Sequence, residues 1–144
     1  MVRAQAAYPT MQNSSADALP ADAGAWLEGP VRDLLRSRYA QSRSIEGANA
    51  GLLAAYHWTI WQKAFDGDDR GVNVYHKVLF KNGEAVGVSK ALIGNLHDAI
   101  LEESINLVLN RHKNSPSSAR GLLKTIINAN YMVMRDFLAS NQQR

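Results

Sequence analysis

Four histidines, at positions 57, 76, 97 and 112, are the side chains of this sequence best suited to moving protons or holding a metal near neutral pH. None has a carboxylate or a second histidine at a recognised zinc-binding spacing, and no cysteine is present to complete a site, so no metal centre is expected. His97 follows Ile93 by four residues and precedes Ile100 and Leu101, which puts it on an apolar face if the segment is helical. His57 stands in the same relation to Leu53, Ile60 and Trp61. Each reads first as a hydrogen-bonded core histidine and second as a ligand contact. Arg70 and His76 lie six residues apart, a pairing in which the guanidinium could stabilise phosphate charge while the imidazole transfers a proton. Asp66-Gly67-Asp68-Asp69 has the acidic look of a calcium loop, but Arg70 falls at the fifth position and no glutamate at the twelfth, so it reads as a solvated turn.

Two basic groups could touch phosphates, Arg32, Arg36, Arg38 and Arg43 in one and Arg111, Lys113, Arg120 and Lys124 in the other. Arg111, His112 and Lys113 also suit the C-terminus of a helix, where the dipole favours positive charge. Neither group interleaves with exposed aromatics, so any nucleic-acid binding is expected to be weak and salt-sensitive. Phosphate loops, dinucleotide fingerprints and hydrolase elbows are absent from the sequence.

The elements that must position these residues fit in one domain: 144 residues, of which 46% are hydrophobic, suit a single core. The absence of cysteine removes disulfide frameworks and thiol nucleophiles. A net charge of +3 and an isoelectric point near 9.3 permit an anionic partner without requiring one. No signal-peptide pattern or membrane-length apolar run is seen, and a cytoplasmic protein without a membrane contact is expected.

Residues 1–21, rich in Ala, Ser, Asn and Gln, read as an N-terminal arm, and residues 22–144 as a single helical domain. Asp22 can cap a short helix through Trp26 and Leu27, which Gly29-Pro30 then interrupts, with Pro30 opening a second helix whose stripe is Val31, Leu34, Leu35 and Tyr39. A third helix spans about Glu46 to Phe65 and stops at Gly67. Residues 72–88 fit two patterns. Val72, Val74, His76, Val78 and Phe80 alternate and Asn82-Gly83 is a hairpin turn signal, whereas Val74/Val78 and Tyr75/Leu79 are helical pairs. Ser89 caps a long helix to about Arg111, 114–118 is a loop, and a last helix runs from about Ala119 to Ala139. Both last helices are apolar on more than one face, which predicts a homodimer through 89–111 and 119–139.

Two resemblances bear on function. Arg70-x5-His76 resembles the catalytic motif of the HEPN ribonucleases, which are all-helical domains; that motif normally opens a helix. Trp61-Gln62-Lys63-Ala64-Phe65-Asp66-Gly67, Val86-Gly87-Val88-Ser89 and Leu122-Leu123-Lys124-Thr125-Ile126-Ile127-Asn128 resemble the sensor globins, namely the globin domains of globin-coupled sensors and the haem-free globin domains of stressosome regulators. The likeness covers about residues 30–139. It implies an all-α, globin-like domain that senses or regulates without catalysis and dimerises through its last two helices, with Tyr39 where the family often places a distal tyrosine. The ligand pocket it implies is lined by Tyr39, His57, Trp61, Phe65 and His97. The family's haem-binding members carry the proximal histidine four residues before the turn glycine, and that position here is Gly83. Ordinary haem ligation is therefore not expected, and His76 or His97 would have to serve instead. The identity of any other cofactor stays open. The competing functions are a small basic nucleic-acid-binding protein or HEPN-like ribonuclease using Arg70 and His76, and an assembly subunit whose N-terminal arm reaches a neighbour.

Overall fold

Gly67 and Gly87 set two corners of the chain. Their φ values of 74° and 79° lie in the left-handed region that a residue without Cβ enters freely. At the first corner the Gly67 N–H donates to the Ala64 carbonyl and the Asp68 N–H to that of Lys63; at the second, Gly87 donates to Glu84 and Val88 to Gly83. Both are Schellman closures, which satisfy the last carbonyls of a helix while reversing the chain. Each is followed at once by a capping side chain. Asp68 Oδ1 accepts the Gly71 N–H at 2.8 Å and Ser89 Oγ accepts the Leu92 N–H at 3.1 Å, so the next helix starts two or three residues past the glycine.

The computed structural model describes residue 19 and residues 22–142, with the side chains of 118 and 131–142 left aside. Among these residues the chain is all-helical: α1 (Ala23–Trp26), a π-helical turn (Leu27–Val31), α2 (Arg32–Gln41), α3 (Gly47–Phe65), α4 (Asp69–Ala85), α5 (Lys90–Arg111) and α6 (Pro116–Gln142). The proposed N-terminal arm lies outside the described residues, apart from Leu19, which packs against the core. α3 lies against α2, α4 and α6, and α5 packs on α6, α2 and α4. Trp26, Leu35, Leu53, Ile60, Trp61, Leu79, Ile93, Ile100, Leu122 and Ile126 fill the space between them.

Three sequence expectations need correction. Residues 72–88 contain no hairpin: α4 runs through Asn82-Gly83, and the turn glycine is Gly87. The Asp68 cap commits the backbone to a helix, and Val72, His76, Leu79, Phe80 and Gly83 then fall on one buried face. Asn82 turns its amide back onto the Val78 carbonyl at 2.8 Å, so its side chain serves the helix and not a turn. Second, Gly29-Pro30 does not break the chain. Pro30 sits inside the π-helical turn, where the shifted hydrogen-bonding pattern absorbs the missing N–H, and helix continues from α1 into α2. Asp22 precedes α1 but its carboxylate makes no cap, bonding instead to Arg111 Nη2 at 2.9 Å. Third, α6 starts at Pro116, inside the expected 114–118 loop, because proline suits a first helical turn, and it extends to Gln142.

Candidate functional site

A line of polar side chains crosses the core from α2 to α6. Tyr39 on α2 places its hydroxyl 2.9 Å from His57 Nδ1 on α3. The His57 ring lies over that of His97 on α5, with centroids 3.9 Å apart and planes tilted by 35°. His97 Nδ1 faces Asn130 Oδ1 on α6 at 3.4 Å, and Asn130 Nδ2 donates to the Ile126 carbonyl at 2.7 Å. That last bond orients the amide, so Oδ1 accepts from His97 and the Nδ1 of His97 carries the proton. From α4, Phe80 stands between two imidazoles, with centroids 5.9 Å from His76 and 6.4 Å from His97. Tyr39, His57 and His97 are at most 1% exposed and His76 is 4% exposed.

Burial decides the charge state of this line. Removal from water drives His57 well below the usual imidazole range, helped by the neighbouring His97. Burial likewise lowers His97 to about 4, partly opposed by its bond to Asn130 and reinforced by His76. Tyr39 is pushed upward by burial and keeps its proton. At neutral pH the line is therefore uncharged. The Nε2 atoms of His57 and His97 are buried without a hydrogen-bond partner, as are Trp61 Nε1 and Ser104 Oγ.

The structure brings together three of the five residues expected in a ligand pocket, Tyr39, His57 and His97. Trp61 lies one turn further along α3 and is also buried, while Phe65, at the end of α3, stacks on Trp26 at 6.0 Å. Sequence reasoning missed Asn130 and placed His76 elsewhere. The signal for Asn130 was present: it follows Ile126 by four on the apolar stripe of α6, just as Ser104 follows Ile100 on α5.

The arrangement does not suit a metal held between the imidazoles. Metal–nitrogen bonds of about 2 Å run in the plane of each ring, which would hold the two centroids ~6 Å apart. Rings stacked at 3.9 Å direct their lone pairs past one another. Among the described residues, no three histidine or acidic side chains group around a metal position. At Gly83, the position to which the globin resemblance would assign a proximal histidine, an added Cβ would lie 2.6 Å from Ile93 Cδ1.

The other candidates are dispersed. Arg70 is exposed and His76 buried, about 9 Å apart along the α4 axis and on different faces. Arg32 lies over the Trp58 ring at 4.4 Å, Arg38 pairs with Glu103, and Arg111 with Asp22. Arg36, Arg43, Lys113, Arg120 and Lys124 are exposed. Comparison with protein-family models, curated proteins and solved structures finds no match for this chain.

Proposed function

We propose that this chain is a non-catalytic, globin-like regulatory domain that acts through a protein–protein surface, the outer face of the α5–α6 hairpin, against a second copy of itself. The observation that carries the reading is an apolar seam on that face. On α5, His97, Leu101, Ile105 and Leu109 follow at steps of four, and each step turns about 40° away from the core. Exposure rises accordingly, from 1% at His97 through the half-buried Leu101 and Ile105 to 51% at Leu109. On α6, half-buried Leu123 and Ile127, 46% exposed, continue the seam beside Ile126 and Asn130. A surface role is favoured over a ligand pocket because ring-to-ring contacts occupy the interior where a pocket was expected.

Charge selects the arrangement of the two copies. Exposed Asp98 and Glu102 flank the seam on α5, and exposed Arg120 and Lys124 lie along α6. A twofold axis parallel to the helices sets α5 over the α6 of the other copy, and the register given by the His97–Asn130 contact then brings Glu102 level with Lys124. An axis across them sets α5 on α5, which opposes like charges. The first arrangement is the one proposed.

Light scattering at tens of micromolar, a range set by ordinary association strengths, is expected to give twice the chain mass of 15.9 kDa. Leu109→Glu with Ile127→Glu should give a monomer. A variant carrying Asp98→Lys and Glu102→Lys should be monomeric alone and pair when mixed with one carrying Arg120→Glu and Lys124→Glu. A monomeric wild type would refute the proposal, and failure of the mixed pair would refute the parallel-axis arrangement.

A further inference from the structure

Among the described residues, each helix packed around His57 and His97 contributes an aromatic, imidazole, hydroxyl or amide group. α2 brings Tyr39, α3 His57 with Trp61, α4 His76 with Phe80, α5 His97 with Ser104, and α6 Asn130. The buried polar residues among those described are three histidines, one serine and one asparagine, with no Asp, Glu, Lys or Arg. Of the charged side chains described on the same helices, Arg38, Lys77, Asp98 and Lys124 are outside the core, and Arg38 is committed to Glu103 at the surface. Among the described residues, no carboxylate stands beside this line to offset an added proton.

The His97–Asn130 contact is also a polar tie between α5 and α6. Protonating His97 at Nε2 creates a buried N–H with nothing to receive it, against a second imidazole with centroids 3.9 Å apart. Water can reach the charge only if a helix moves. The short turn between Arg111 and Pro116 joins α6 to α5, and α6 can swing about it away from α3, α4 and α5. We infer that the His57–His97–Asn130 line is an acid-operated latch: proton uptake by the stacked imidazoles releases α6 and uncovers the apolar faces of Leu122, Ile126 and Ala129. This inference does not rest on dimerisation, since the latch lies within one chain.

The test is an acid titration of the whole protein followed by binding of an apolar dye and by far-ultraviolet circular dichroism. Dye binding should rise while most helicity persists, with a pH dependence steeper than one proton. Carrying His57→Phe and His97→Met together should move the midpoint down by at least one pH unit, a tenfold change in proton concentration. His112→Gln, at the end of α5, should leave it in place. An unchanged midpoint in the double variant, or an equal shift with His112→Gln, would overturn the latch. Should the double variant fail to fold, nitrogen-15 imidazole spectra of the wild type decide the matter. His57 and His97 are expected to stay neutral until the transition and to titrate with it. Titration of either near the ordinary imidazole value while α6 remains packed would overturn the inference.

Discussion

Replacing Gly83 with alanine tests whether the α4–α5 contact is as tight as the geometry requires. Two effects oppose each other. Alanine favours helix over glycine by up to about 1 kcal/mol, less near a helix end. Its Cβ, however, would lie 2.6 Å from Ile93 Cδ1 and 3.5 Å from the Val88 carbonyl oxygen. Ile93 is fully buried, so its terminal methyl must move into occupied space. Overpacking of this kind costs about 1–3 kcal/mol. The clash should win, leaving Gly83→Ala less stable by about 1 kcal/mol, a fall of roughly 4 °C in Tm. Ile93→Val alone should cost about 1 kcal/mol through the lost methyl. Together the two should approach wild-type stability, because the alanine methyl fills the space the isoleucine vacates; the coupling is then about 2 kcal/mol in favour of the pair. Urea unfolding followed by tryptophan fluorescence measures all four corners of this cycle. Gly83→Ala as stable as wild type in both backgrounds would show that residue 83 has room for a side chain, and the argument against an imidazole there would fail. In keeping with the same geometry, Gly83→His should fold less stably still and show no Soret band after exposure to haemin.

Stability should fall on mild acidification. His97 is held at about 4, below the ordinary 6.5, so the unfolded chain binds more protons between those values. Its contribution is therefore complete above the ordinary value and is lost as pH drops towards the folded one, a loss of about 3 kcal/mol at most; urea midpoints at a series of pH values will show it, and a flat profile over that window contradicts it. Tyr39→Phe removes the hydroxyl from His57 Nδ1 and leaves a buried ring nitrogen unsatisfied, which should cost about 1–3 kcal/mol. Nucleic-acid retention, measured by fluorescence anisotropy with single-stranded and duplex probes, should be weak and disappear with added salt. Binding that survives about 0.5 M salt, or cleavage lost on Arg70→Ala and His76→Ala, would instead support the nucleic-acid reading.

The helical elements were legible wherever local chemistry acts alone. Ser89 as a cap, Gly67 as a stop and the stripe of α3 each depend on neighbours within a few residues, and each is where the spacing placed it. The segment around Asn82-Gly83 was not, because alternating valines satisfy both periods and the deciding factors were tertiary. Burial of one α4 face and packing of Ile93 against Gly83 selected the helix. Of the site, His57 and His97 were readable as apolar-face histidines with hydrogen-bond partners, but their stacking on each other brings together residues 40 positions apart, which no local pattern encodes. Asn130 was overlooked for a related reason: an amide on an apolar stripe looks like noise until an imidazole faces it.

The π-helical turn has a consequence for the phase of the whole N-terminal helix. Ala23, Leu27, Val31, Leu35 and Tyr39 are all buried at a strict interval of four. On an uninterrupted α-helix such a row would wind away by ~160° over its length, carrying one end into solvent. The wider turn at Leu27–Val31 winds fewer degrees per residue and takes back part of that drift, which lets a single row serve the core from both ends. Deleting one residue within it would rotate everything upstream by ~100°. Trp26 would swing off Phe65 and Asp22 away from Arg111, so the bulge acts as a timing element that keeps the first helix in step with the last turns of α3 and α5.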